Sequence, residues 1–255
     1  MSDMRCNRVR MATRIGNVVI ECPDPEALAE FYAELLDMHP LRRPPDWMVI
    51  GRDDEYLHLA FDPVGEDWRA PRWPDPAYPQ QVHLDIGCSD ADAAEELAQR
   101  LGATAVPRPG RRPAYRDPAG HTFCLFGDDR VARAGRTADV NAICFDCISP
   151  RALAAFYQEV ADMPVRKEDS SGSVLIATAD EQGPMLAFQR THAMPPNWPD
   201  SKYPQQMHID FSVDGPATAQ LAERLGAVRL PAMGGSCPVF EDPAGHPFCL
   251  CSPGE

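Results

Sequence analysis

The sequence predicts an α+β protein made of two copies of one unit, arranged as tandem βαβββ modules whose open sheets carry helices outside and curl into half-barrel cups. Three observations predict it: a repeat displaced by 125 positions, short β-branched runs alternating with helices of one apolar stripe, and turn residues at matching points of both copies. Pro25 to Met38 matches Pro150 to Met163 at 9 of 14 positions, Trp73 to Asp85 matches Trp198 to Asp210 at 9 of 13, and Asp117 to Phe126 matches Asp242 to Cys251 at 8 of 10. Identity of that density in three separated blocks places the domains at 14–128 and 139–253, joined by a polar, small-residue linker at 129–138.

The elements follow in order. Val18 to Ile20 is a β-branched strand. Asp24 caps a helix that begins at Pro25, where the missing N–H costs nothing, and Leu28, Phe31, Tyr32 and Leu35 recur at helical spacing to give one apolar stripe. The second copy repeats this grammar with Ser149 and Pro150, then Leu153, Phe156, Tyr157 and Val160. Strands at Trp47 to Ile50 and Tyr56 to Phe61 precede a loop stiffened by proline, and the strand Val82 to Ile86 comes after it. Asp90 caps a second helix that runs to Leu101 and stops at Gly102, and the turn Asp117-Pro118-Ala119-Gly120 leads into the strand Thr122 to Phe126. A sheet with helices on one side has a bare second face, and pairing with the twin copy covers it.

Composition narrows the function. The 24 Lys and Arg against 38 Asp and Glu leave a net charge of −14, so nucleic acid and anionic membrane surfaces are excluded as default partners. No run of apolar residues is long enough to span a bilayer. The N-terminal arginines are followed by no apolar stretch of a secretory signal, and the nine cysteines are an odd count, which together imply a cytoplasmic protein with reduced thiols. Cys144 and Cys147 form a C-x-x-C that reads as structural, because Val19 stands where Cys144 does in the first copy and no second C-x-x-C completes a zinc set.

The order of elements, the strand-initial His83 seven residues before Asp90, and the motifs Q-Q-x-H-[LI]-D and D-P-A-G-H-x-F-C resemble the vicinal oxygen chelate superfamily. That superfamily includes glyoxalase I, extradiol dioxygenases and bleomycin-resistance proteins, and the motifs resemble its glyoxalase-like branch over nearly the whole chain. The resemblance implies the cup fold and a small organic ligand. It places the family's metal triad at Asn17, His83 and Cys124 in copy one and at Ala142, His208 and Cys249 in copy two. Of these only the histidines are conventional ligands, so the expectation is no cofactor and no bound metal, with soft binding of zinc by His and Cys as the alternative.

Strand parity supplies a different constellation. His83 and Asp85 share a face, as do His208 and Asp210, and so do Glu21 with Asn17 and Asp146 with Ala142. Within each copy this assembles a histidine, its aspartate, a further acid and a cysteine, a set suited to acid/base work near neutral pH; the alternative is that these groups only stabilise the sheet. Trp73 and Tyr78, with Trp198 and Tyr203, stand just before the histidine strands, where they would wall the cup and stack on a flat ligand. Asn17, Cys124 and Cys249 join them as ligand-contacting residues, the cysteines as buried inert thiols, while His121 and His246 read as turn residues. Two functions fit: an enzyme of lyase, isomerase or hydrolase type using His83 or His208 as base, or a binding protein that sequesters a small toxic molecule. Because Asn17 and Glu21 enrich the first strand of copy one, its cup, with His83, is expected to be the more discriminating. The protein is expected as a monomer or homodimer.

Overall fold

The computed structural model describes residues 13–42, 47–53, 57–66, 68–75, 78–108, 111–180, 183–191, 205–231 and 237–252. Copy one runs β1 (Arg14–Cys22), α1 (Pro25–Leu36), β2 (His39–Arg42), β3 (Met48–Gly51), β4 (His58–Pro63), β5 (Val82–Cys88), α2 (Ala91–Arg100), β6 (Thr104–Val106), β7 (Ala114–Arg116) and β8 (Thr122–Gly127). After α3 (Asp129–Arg133), copy two runs β9 (Ala138–Cys147), α4 (Pro150–Val160), β10 (Val165–Glu168), β11 (Val174–Ile176), β12 (Met185–Arg190), β13 (Met207–Ser212), α5 (Ala217–Arg224), β14 (Val228–Arg229), β15 (Val239–Glu241) and β16 (Pro247–Cys251). The 129–138 connection therefore carries a short helix, started by the Asp128 side chain accepting from Arg130 N.

Local chemistry accounts for the helix starts. Asp24 accepts from Ala27 N at 3.0 Å ahead of Pro25, and Asp90 accepts from Asp92 N and Ala93 N at 3.1 Å. Ser149, expected to cap α4, forms no side-chain cap bond; Pro150 alone marks that start. Asp117 closes its turn by accepting from Ala119 N and His121 N, and it also receives the Tyr32 hydroxyl at 3.0 Å, pinning α1 to the turn before β8. Tyr157 and Asp242 repeat the contact at 2.9 Å.

The strands form two eight-stranded mixed sheets that do not close into barrels, and their membership is the main departure from the sequence reading. One has the order β14-β15-β16-β13-β1-β4-β3-β2 and the other β10-β11-β12-β9-β5-β8-β7-β6. Each sheet thus joins the first half of one copy to the second half of the other, through antiparallel pairing of β1 with β13 and of β5 with β9. In every half the first strand pairs in parallel with the last, leaving its other edge open, and the twin copy satisfies that edge. Val18, Ile20, Leu59, Phe61, Ile209, Phe211 and Phe248 face the helices in a core continuous across both copies. Alternate residues face the cups. Among the described residues no helix is long and apolar enough to cross a membrane.

Candidate functional site

Because the sheets exchange halves, each cup draws on both copies. The expected sets Asn17–His83–Cys124 and Ala142–His208–Cys249 are not assembled. Instead Asn17 and Glu21 on β1 face His208 and Asp210 on β13 and Cys249 on β16, whereas Ala142 and Asp146 on β9 face His83 and Asp85 on β5 and Cys124 on β8. The parity argument within each strand was sound, but the partner strand comes from the other half of the repeat. The polar first strand consequently enriches the His208 cup, and the expectation that His83 holds the better-supplied site is corrected accordingly.

In the His208 cup, the imidazole Nδ1 donates to Glu21 Oε1 at 2.7 Å, and Nε2 lies 3.4 Å from Asp210 Oδ1. Asn17 Nδ2 donates to the second oxygen of Asp210 at 3.1 Å, and Gln205 Nε2 donates to Glu21. The group is nearly dry: Glu21 is 5% exposed and Asp210 8%. Burial works against the imidazolium, but Glu21, Asp210 and Cys249 outweigh it and raise the His208 pKa well above its ordinary value. Burial pushes Asp210 the other way from its partners His208 and Asn17, which prevail and lower it. Asp62 on β4, opposite Glu21, is raised by burial and then by the Glu21 charge. At neutral pH the cup therefore holds an imidazolium among acids, and Glu21 Oε2 is buried with no hydrogen-bond partner.

The His83 cup shares the glutamine at Nδ1, which in the His208 cup is Gln205 at 2.8 Å, but among the described residues no carboxylate reaches its Nδ1. Gln80 Nε2 and Gln189 Nε2 lie 3.2 and 3.4 Å from His83 Nδ1, and Gln189 is itself fixed by donating to Asp146. An amide N–H donating to Nδ1 leaves the proton on Nε2, which points toward Asp85 Oδ1 at 3.7 Å. Burial and then Asp85 push the Cys124 thiol up to about 12, and burial likewise raises Cys144 and Cys249, so these thiols are not activated nucleophiles.

The remaining expected residues divide. Trp73 packs against Val106, Ala114 and Cys124 and so walls the His83 cup. Tyr78 is held within its own loop, its hydroxyl accepting from Arg69 at 2.7 Å and its ring 4.6 Å below the Arg72 guanidinium. Trp198 and Tyr203 lie outside the described residues. His121 and His246 are buried on their turns, His121 Nδ1 3.1 Å from Asp117 and His246 donating from Nε2 to Asp146 O at 3.2 Å. Cys237 and Cys251 are joined in a disulfide, contrary to the expectation that all thiols are reduced, while Cys22, Cys88, Cys124, Cys144, Cys147 and Cys249 are free and buried. Gln80, Gln205, Asp62 and Gln189 were missed by the sequence reading. The glutamine three residues before each histidine was a visible signal, but strand parity alone sets i−3 on the opposite face, and only the strand entry turns it onto the ring.

Both cups bring three metal-capable donors within 4.8 Å of one another: His208, Asp210 and Cys249 in one, His83, Asp85 and Cys124 in the other. The third donor is the aspartate two residues after the histidine rather than a first-strand residue. The His208 set would fit a divalent ion once the imidazolium gives up its Nε2 proton, since Glu21 holds Nδ1 and turns Nε2 toward the oxygen and sulfur donors. The His83 set offers the same three donor types.

Comparison with known proteins agrees with this architecture. The chain superposes on glyoxalase I from Zea mays with a TM-score of 0.61 at 17% identity, covering 94% of this chain and 92% of that one. It superposes on a putative dioxygenase from Bacillus subtilis subsp. subtilis str. 168 with a TM-score of 0.63 at 12% identity, covering 94% and 85%. The comparison with curated proteins gives no match. A family model described as "Glyoxalase-like domain" matches twice, over residues 17–126 and 142–251, which is most of the chain. With two such domains exchanging half-sheets, the chain belongs to the glyoxalase-like domain family of vicinal oxygen chelate proteins.

Proposed function

We propose that the protein binds a small organic molecule in the His208 cup and transfers a proton to or from it, in chemistry of lyase, isomerase or hydrolase type. The carrying observation is the buried chain Glu21–His208–Asp210, closed by Asn17 at one end and by an unpartnered carboxylate oxygen at the other. Glu21 fixes the ring through Nδ1, and Asp210 sits at Nε2, so Nε2 is the atom that exchanges a proton with a ligand entering between His208 and Cys249. With its raised pKa, His208 starts as the acid; Asp210, held ionised, keeps the proton available at Nε2. Glu21 and Asp210 stabilise the imidazolium in both directions of transfer. His208, Asp210 and Cys249 would hold a divalent metal, which when bound supplies polarisation of a ligand oxygen.

The acid excess of this cup, Glu21, Asp62 and Asp210 around one histidine, also supports a second reading: capture of a cationic small molecule without turnover. Thermal stabilisation across a panel of metabolites and antibiotics, followed by recovery of each stabilising compound, separates the two. Altered compound supports proton-transfer catalysis, and unchanged compound supports capture. His208→Gln abolishes stabilisation in either case; if it leaves stabilisation intact, the site is elsewhere.

A further inference from the structure

The two cups share one sequence grammar but differ in charge on the wall built by the last three strands of each half. In the His83 cup that wall carries Arg108, after β6, and Arg116, on the cup face of β7; their repeat partners 125 positions on are Met233 and Glu241. In a chain of net charge −14, an arginine at a cup wall normally finds a carboxylate. The nearby Arg112 does, binding Asp92 and Glu95 at 2.8 Å. Arg108 forms no ion pair among the described residues: its Nε donates to Arg112 O at 3.0 Å, and its charge, with that of Asp85, acts on the Cys124 thiol of the cup face. Arg116 forms none either; its Nη2 donates to Trp73 O at 2.7 Å, and its Nε is buried without a partner. Across the β7–β8 register from Arg116, Thr122 Oγ1 is also buried and unpartnered. Neither arginine of this wall has a carboxylate partner among the described residues.

The rest of the cup is suited to a flat apolar body. Trp73, held by Arg116, lies against Val106, Ala114 and Cys124, and the floor beyond is Ala142 and Cys144 on β9. Of the acids of the cup, Asp146 receives Gln189, and Asp85 lies 3.7 Å from His83 Nε2 and beside the Cys124 thiol. We propose that the His83 cup is a second ligand site, distinct from the proton-transfer cup, that binds a small planar organic acid with its carboxylate on Arg108 and its apolar body against Trp73. Arg116 positions Trp73. Arginine meets a carboxylate through two parallel N–H donors, which makes the charge state of the ligand decisive.

Isothermal titration of the full chain with benzoate, phenylacetate and cinnamate, each against its amide, and with benzylamine, is the test. At least one acid binds tenfold or more tightly than its amide, and benzylamine does not compete for its site. Arg108→Gln lowers that affinity tenfold or more with the melting temperature unchanged, Trp73→Ala lowers it as well, and His208→Gln leaves it intact. The proposal is overturned if none of the acids binds, if an amide or benzylamine binds as tightly, if Arg108→Gln retains affinity, or if His208→Gln removes it. The last outcome places the acid in the other cup and leaves the proton-transfer reading standing.

Discussion

Replacing Glu21 with glutamine probes the charge that sets up the His208 cup while keeping the side chain's shape. Glu21 Oε1 and His208 Nδ1 are 2.7 Å apart, with side chains 6% and 12% exposed. Unit charges at that distance attract by roughly 6 kcal/mol at an effective dielectric of about 20. Desolvation takes back much of this, and removing one member of a buried pair costs about 3–5 kcal/mol. Glutamine keeps an acceptor for Nδ1–H and relieves Asp62, which the Glu21 charge pushes up. The expected loss for Glu21→Gln is therefore about 2–3 kcal/mol where His208 is protonated. The sign with pH follows from the raised histidine. Its contribution is fully present below the ordinary value of 6.5 and is lost as pH rises through the higher folded value. Urea denaturation at pH 6 should show the full loss, and at pH 9 a smaller one. NMR titration of the His208 ring, assigned with His208→Gln, should move its midpoint down in the variant. An unchanged midpoint, or an equal loss at both pH values, refutes the claim that Glu21 holds the imidazolium.

Three further outcomes test the scaffold. Tyr32→Phe and Tyr157→Phe each leave a buried aspartate short of one donor, at an expected cost of about 1.5–3 kcal/mol in urea denaturation; a cost near zero means the turn aspartates are satisfied without them. Gly120 has φ 100°, and a Cβ there would stand 2.7 Å from Ala70 Cβ, so Gly120→Ala should lower stability by about 1–3 kcal/mol while Gly127→Ala, with open space around it, changes little. Residues 14–128 expressed alone retain the pairing edges of β1 and β5 without β13 and β9 to fill them. Gel filtration should show a homodimer or an aggregating product, and a stable monomer contradicts the exchanged-sheet account.

Much of this protein was legible without coordinates. The 125-residue displacement, the proline-started helices capped by Asp24 and Asp90, and the D-P-A-G-H turns are local signals, and local hydrogen bonds enforce them wherever the chain goes. The pairing of His83 with Asp85 and of His208 with Asp210 on one face followed from the two-residue period of a strand. The short strands β2, β6 and β7 were not seen, because three or four residues beside a turn carry too little periodicity to register.

What the tertiary structure alone decided is which first strand meets which histidine. Both copies present the same open edge on their first strand and the same complementary edge on the histidine strand, so the pattern of apolar and polar residues is satisfied equally by pairing within a copy or across copies. The crossed pairing sends Glu21 and Asn17 to His208 and leaves His83 with Ala142 and Asp146. Residue content within a copy therefore determined the ingredients of two polar cups. Edge pairing in space, where main-chain groups bond without regard to side chain, determined that one became an acid-bound imidazolium and the other a histidine held between two glutamines.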